Sequence, residues 1–395
     1  MNLRRAVIIP WLAAFAVLAF FASCRNGSSS ATVGNSGDTL RGDTLCGDTL
    51  RGDTLRGDTI AMRYARHITM VRHGDRLLVE LLDPWHPGRV LRRYWFGRQG
   101  IQLPLSRCVV FNTAHASLLG MLGATDRIAG VADRKYMQLP RVQQRVEKGL
   151  VADCGDSMSP DVELMAGLQP DAVWLSPFEN SGGYGRLEQL GIPIIECADY
   201  METSPLGRAE WMRFYGLLVG RQAEADSLFS VVEHAYLSLR DSIARLARGE
   251  ARRPSMLTER LTGSTWYVAG GRSTVGRLIA DAGGRYPWAA DDHSGSLPLS
   301  LEAVLDVAAD ADVWAFNDSH RPPLTYTRLR AEHAGYAQIK AFRRQNVYFV
   351  NSMQVPYFEE VAFRPDWLLR DYAIMFHPQW ALGRLRYFVK LSPSP

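Results

Sequence analysis

Apolar positions in this chain recur with two distinct periods. Between Gln222 and Arg248 the residues Leu228, Val231, Val232, Ala235, Leu239, Ile243 and Leu246 follow at mostly three- and four-residue steps, with no internal Gly or Pro. That spacing predicts one amphipathic helix of about 25 residues, spanning about 40 Å. On either side the pattern changes to short β-prone runs alternating with helical stretches. Upstream come "RCVVFNT", "HASLLGMLGA", "RIAGVAD", "VELMAGLQ", "PDAVWLS", "GRLEQLG" and "IPIIECA". Downstream come "SMLTERL", "TWYVAG", "TVGRLIADAG", "LSLEAVLDVAA", "ADVWAFN" and "NVYFVN". Strands alternating with helices predict parallel sheets covered by helices, here one on each side of the long helix. The final "RPDWLLRDYAIMFHP" has helical spacing at Trp367, Leu368, Tyr372 and Met375 and stops at Pro378. Before Arg107, the turn pair Gly74-Asp75 between two β-prone runs predicts a β-hairpin.

The first residues follow neither period. "MNLRRAVIIPWLAAFAVLAFFASC" places Arg4 and Arg5 before a continuous apolar stretch that ends in small residues and Cys24. This is the layout of an export signal. "FASC" resembles a bacterial lipobox, which implies cleavage before Cys24, a lipid on that cysteine and a membrane-anchored protein in the periplasm. The competing reading is an uncleaved membrane span. Residues 37–60 then repeat a Gly-Asp-Thr pentapeptide. One apolar residue per unit cannot cover a core, so a solvated tether is expected.

Composition narrows the function classes. The 395 residues are 47% hydrophobic and 22% charged, enough for two lobes with cores of their own. A net charge of +4 from 45 basic and 41 acidic residues gives no reason to expect a nucleic-acid partner. Of five cysteines, Cys108, Cys154 and Cys197 fall in the globular part at spacings of no zinc or redox motif. They read as buried thiols, with one disulfide open to an exported chain.

"GGRSTVGRL" at 270–278 nearly spells a phosphate-binding loop, with Gly271 and Gly276 five apart. Arg277 and Leu278 stand where the lysine and the magnesium-binding hydroxyl would be. A tight strand-to-helix turn capped by Ser273 or Thr274 is therefore expected. "HSGSLP" lacks the flanking pattern of a nucleophile elbow, so an exported hydrolase has little support.

Taken in order, "VVFNTAHASLLGMLGATDRIAGV", "LMAGLQPDAV", "LGIPII", the long helix, "YVAGGRSTVGRLIADAGG", "LSLEAVLDVAADADV", "NVYFV" and "RPDWLLRDYAIMFHP" resemble the bacterial periplasmic-binding proteins that deliver iron-siderophore complexes, haem or cobalamin to ABC importers. The resemblance covers residues from about Arg107 to Pro378. It implies an α/β fold of two lobes with parallel-rich central sheets, joined by one long connecting helix, with a ligand cleft between them. The expected division is a signal peptide at 1–23, lipidated tether at 24–60, hairpin region at 61–106, N-terminal lobe at 107–203, connecting segment at 204–250 and C-terminal lobe at 251–395. It further implies a monomeric binding protein, without enzymatic activity or cofactor, that hands its ligand to an ABC-importer permease. In that family one acid on each lobe docks on permease arginines, and Glu163 and Glu302 fall at those positions. A capture lipoprotein that works without a permease would share the same fold and cleft.

Ligands of open α/β sheets bind beyond the C-terminal strand ends. That rule selects Asn112, Thr113 and His115, then Ser176 and Phe178 with Tyr184 and Arg186 nearby. In the second lobe it selects Glu259, Arg260, Trp266, Tyr267, Trp288, Asn317, Met353 and Tyr357. Arg186 and Arg260 would hold the negative charge of a ferric chelate. Of 9 histidines no pair stands at i and i+4, so no protein-bound metal is expected. His115 is the best candidate for a haem or metal contact, whereas His293, His320 and His377 are expected to cap, pack or line the cleft.

Overall fold

The computed structural model describes residues 57–179, 183–319 and 324–392. The expected signal peptide, Cys24, most of the repeat and His320 lie outside them. Three layers follow along the chain. The first is an antiparallel sheet of β1 (Asp58–Thr59), β2 (Ile68–His73), β3 (Arg76–Leu82) and β4 (Val90–Gly97), in that spatial order. Its centre is the expected hairpin, closed by Gly74-Asp75 with His73 opposite Arg76 and Gly74 at φ 61°. The sequence reading stopped at two strands; the last copy of the pentapeptide and the run through Tyr94 add one edge each.

The N-terminal lobe contains β5 (Cys108–Val110), α1 (Thr113–Met121), β6 (Ile128–Val131), α2 (Pro140–Glu147) and β7 (Ala152–Asp153). A small ribbon, β8 (Gly155–Asp156) and β9 (Ser159–Pro160), precedes α3 (Val162–Gly167), β10 (Ala172–Leu175), α4 (Arg186–Gln189) and β11 (Ile194–Glu196). Its sheet runs β11-β10-β5-β6-β7 and every pairing is parallel. All residues of β5, β6 and β10 are buried, which is why those runs lack alternation. Cys108, Cys154 and Cys197 are free and buried. Burial pushes the Cys108 and Cys154 thiols up to about 12.

Two short helices, α5 (Pro205–Glu210) and α6 (Met212–Leu218), lead into α7 (Gln222–Leu246), the predicted long helix. Its first half buries Ala225, Phe229 and Val232 in the core shared by the N-terminal sheets. Its second half buries Tyr236 and Ile243 in the core of the C-terminal lobe. One stiff rod is thus anchored in both cores, and each large apolar side chain so buried contributes about 1.5–3 kcal/mol.

The C-terminal lobe contains β12 (Met256–Thr258), β13 (Leu261–Thr262), β14 (Thr265–Ala269), α8 (Thr274–Asp281), β15 (Ser296–Leu299), α9 (Leu301–Ala308) and β16 (Val313–Asn317). After α10 (Tyr326–Glu332) and α11 (Lys340–Arg343) come β17 (Val347–Val350), α12 (Tyr357–Glu360), α13 (Pro365–Phe376) and β18 (Val389–Lys390). Strands β12, β16 and β17 are parallel neighbours, with β18 antiparallel at the edge. "TWYVA" departs from expectation: β14 belongs to a separate antiparallel sheet, β13-β14-β15. Its strict alternation of buried and half-buried residues is the pattern of a sheet covered on one face.

The glycine-rich turn is backbone packing. A Cβ on Gly270 would collide with the His293 carbonyl, and one on Gly271 with the Trp288 and Asp291 carbonyls. Ser273 caps α8 by accepting from the Gly276 N–H at 3.1 Å.

Candidate functional site

In the N-terminal sheet the strand order reverses between β10 and β5, so a crevice opens at their carboxyl ends. Asn112 follows β5 and caps α1, its Oδ1 accepting from Ala114 N–H at 2.8 Å. Thr113 comes next. Beyond β10 lie half-buried Ser176 and the exposed ring of Phe178. Tyr200 braces this loop by donating its hydroxyl to the Pro177 carbonyl at 2.6 Å.

The C-terminal lobe presents the matching ends of β12, β16 and β17. Glu259 follows β12 in a left-handed conformation, φ 61°, which costs a non-glycine residue about 1–3 kcal/mol. Two bonds pin it there: its N–H donates to the Ala315 carbonyl at 3.1 Å, and its carbonyl accepts from Trp314 Nε1 at 2.7 Å. Burial raises its carboxyl to about 7, against the lowering effects of the Asn317 N–H and Arg260. The buried Oδ1 of Asn317 makes no hydrogen bond among the described residues. Met353 and Tyr357 follow β17, both half-buried.

The two sets of strand ends meet at Glu359. This buried residue of α12 accepts from Thr113 Oγ1 at 3.0 Å and from the Gln138 N–H at 3.1 Å. Burial raises its carboxyl above the ordinary range. Nothing in the hydropathy pattern singled out Glu359; the acid pair Glu359-Glu360 between Phe358 and Val361 was the one available signal.

Several expected ligand contacts are elsewhere. His115 is 1% exposed, with Nε2 2.7 Å from Asp199 Oδ1 and its ring edge-on to Tyr215. It occupies the buried face of α1, so it is a core ion-pair partner and neither lines the cleft nor reaches a haem or metal held there. Burial alone would lower its pKa, but Cys197 and Asp199 outweigh burial and hold it at about 10. Trp266 is wholly buried, donating Nε1 to the Thr258 carbonyl, because β14 turns it inward; Tyr267 takes the other face. Trp288 is half-buried against Tyr286.

The two arginines are also engaged. Arg260 reaches Asp318 at 2.8 Å and Glu332 at 2.5 Å, and lies over the Phe316 ring. Arg186 pairs with Glu163, both exposed. Neither is an unoccupied anion clamp, since local carboxylates reach them first. Tyr184 donates its hydroxyl to Glu196 at 3.1 Å and packs against the outer core of the first lobe. Glu163 and Glu302 both occupy exposed first turns, behind the caps Asp161 and Ser300. The Glu302 carboxyl is lowered by its own N–H and by Ser300. His293 pairs with Asp291, and His377 stacks on Trp380 at 3.7 Å. No group of three or more His, Cys, Asp or Glu suited to a metal ion occurs among the described residues.

Two parallel-rich sheets tied by one rod buried in both cores, with the segments that follow β5 and β17 touching at Thr113 and Glu359, form a ligand-holding architecture. Residues 108–353 match the family model described as periplasmic binding protein. The chain belongs to the periplasmic binding protein family. Its members bind solutes and are not enzymes, which removes the hydrolase reading. The uncharacterized lipoprotein MJ0878 of Methanocaldococcus jannaschii is 23% identical over 80% of this chain and 75% of its own length. The crystal structure of a periplasmic heme binding protein from Pseudomonas aeruginosa covers 73% of this chain and 96% of its own, at TM-score 0.55 and 18% identity. That of an ABC-type Fe3+-hydroxamate transport system from Saccharomonospora viridis covers 68% and 94%, at TM-score 0.52 and 17% identity. At these identities the likeness establishes the two-lobe α/β fold.

Proposed function

We propose that this protein is the substrate-binding lipoprotein of an ABC importer, anchored through Cys24, and that it carries a ferric siderophore-type chelate in the cleft. The observation that carries this reading is the apposition of the two sets of strand ends at the Thr113–Glu359 hydrogen bond. Around it stand an exposed aromatic ring, amides and half-buried hydroxyls, the mixture that holds a bulky ligand by its faces and a few polar atoms. Because Arg186 and Arg260 are already paired with carboxylates, the site favours a chelate of little net negative charge. A neutral ferric hydroxamate meets that condition. Haem and cobalamin are the competing cargoes.

Titration of the protein with a neutral ferric hydroxamate, with haem and with cobalamin, followed by tryptophan fluorescence and visible absorption, tests the cargo. One hydroxamate chelate per protein is expected. Phe178→Ala, which removes an exposed ring and little packing, should weaken it about tenfold. Failure of all three cargoes to bind overturns the reading.

Delivery is tested separately. The Arg186–Glu163 pair is exposed and weak, so permease arginines can displace it. Glu163→Arg combined with Glu302→Arg should leave the titration unchanged and abolish uptake in cells. Undiminished uptake would instead favour capture without a permease.

A further inference from the structure

The N-terminal sheet lies before the matched residues 108–353, and solute binding gives it no task. Its charge sets it apart. Residues 61–106 hold eight arginines and no lysine against three acids, Asp75, Glu80 and Asp83. That surplus of five exceeds the net charge of the entire chain, +4.

The sheet is rigidly mounted. Buried Glu210 accepts from the N–H groups of Arg63, Tyr64 and Ala65, and buried Glu202 from those of Arg66 and His67. One face, with Ile68, Met70, Val79, Leu81, Tyr94 and Phe96, joins the first core. Strand alternation sends the neighbouring residues the other way, and none of them is buried. The register aligns Val71, Leu78 and Trp95 in one row across that outer face. An antiparallel sheet facing only water would carry polar residues there. Arg76 lies over the Trp95 ring at 4.1 Å. Arg89 and Arg98 are exposed in the segments flanking β4, with no carboxylate partner among the described residues, whereas Arg72, opposite Leu77, belongs to the core-facing side.

We propose that this outer face is a docking surface for an anionic lipid membrane, with Trp95 and the apolar row at the headgroup boundary and the arginines on lipid phosphates. Arginine with tryptophan on one face is the composition that binds such an interface, each basic side chain adding a roughly fivefold preference for anionic lipid. The chain places the face where it meets one: only 32 residues separate Cys24 from Gly57, a span of at most about 110 Å. This last step rests on the proposed lipid anchor; the charge and the apolar row do not. The face is chemically opposite to the acids proposed for the permease, so the two docking events use different surfaces.

The test uses the chain from Arg25 onward, which keeps every described residue and carries no lipid. Its co-sedimentation is compared with vesicles of pure phosphatidylcholine and of phosphatidylcholine with phosphatidylglycerol. Binding at least tenfold tighter to the anionic vesicles, weakened by salt, is expected. The triple variant Arg76→Glu, Arg89→Glu, Arg98→Glu should lose on the order of 100-fold while its cargo titration stays unchanged. Trp95→Ala should weaken anionic-vesicle binding without altering its salt dependence. Equal binding to both vesicles, or a triple variant that binds anionic vesicles like the parent, overturns the proposal; so does a variant that loses only its permease complex. Mass spectrometry of the native N-terminus tests the lipid on Cys24 independently.

Discussion

Asp199→Asn should lower the unfolding free energy by about 3–5 kcal/mol, the usual cost of removing one partner from a buried ion pair. Asp199 is 1% exposed; its Oδ1 meets His115 Nε2 at 2.7 Å and the Tyr215 hydroxyl at 2.8 Å, and its Oδ2 meets Arg208 Nε at 3.1 Å. Burial would raise this carboxyl, but His115, Arg208 and Tyr215 hold it at about 2. The sign of the pH dependence follows from both partners. His115, raised from 6.5 to about 10, contributes fully below 6.5 and loses its contribution as pH climbs to 10. Asp199, lowered from 3.8, contributes fully above 3.8 and loses its contribution as pH falls to 2. The pair is therefore worth most between about pH 4 and 6.5. Urea unfolding of parent and variant across that range measures it, and a loss under about 1 kcal/mol would show that the network does not hold the first lobe together.

Glu259→Gln should flatten stability against pH in the neutral range. The folded carboxyl titrates at about 7 and the unfolded one at the ordinary 4.5. Between those values the unfolded chain gives up its proton first, so stability falls as pH rises. The loss amounts to about 2–3 kcal/mol after allowance for partial exposure. Glutamine keeps the shape and the hydrogen bond from the Asn317 N–H but has no proton to lose. The difference between parent and variant isolates Glu259 from His115, whose contribution also fades above pH 6.5. Parallel curves from pH 4.5 to 7 would show that Glu259 is ionised in the folded protein.

Strand ends were legible from the sequence and side-chain commitments were not. The rule that ligands sit beyond parallel strands led to Asn112, Thr113, Ser176, Glu259, Asn317 and Met353, which the structure places at such ends, and to Tyr357, which opens α12 further along. It also led to His115 and Arg260, one or two residues further along, where half a helical turn or one step of a strand points a side chain elsewhere. Arg186 read as an unengaged cation because its partner Glu163 lies 23 positions away, on another helix. Glu359 was invisible because its partners, Thr113 and Gln138, come from the other lobe.

By itself the sequence determined the α/β alternation, the rod from Gln222 and the capped glycine turn, since each rests on spacing within a few dozen residues, and the family, which rests on the order of such segments along the chain. Tertiary structure alone decided which carboxylates claim the arginines, that "TWYVA" joins an antiparallel sheet, and that an arginine-rich β-sheet covers the first lobe. Those outcomes depend on pairing between separate elements, as with Arg186 and Glu163 23 positions apart, Arg260 and Asp318 58 apart, and β14 with the distant edge of β15, and no local period encodes such a match.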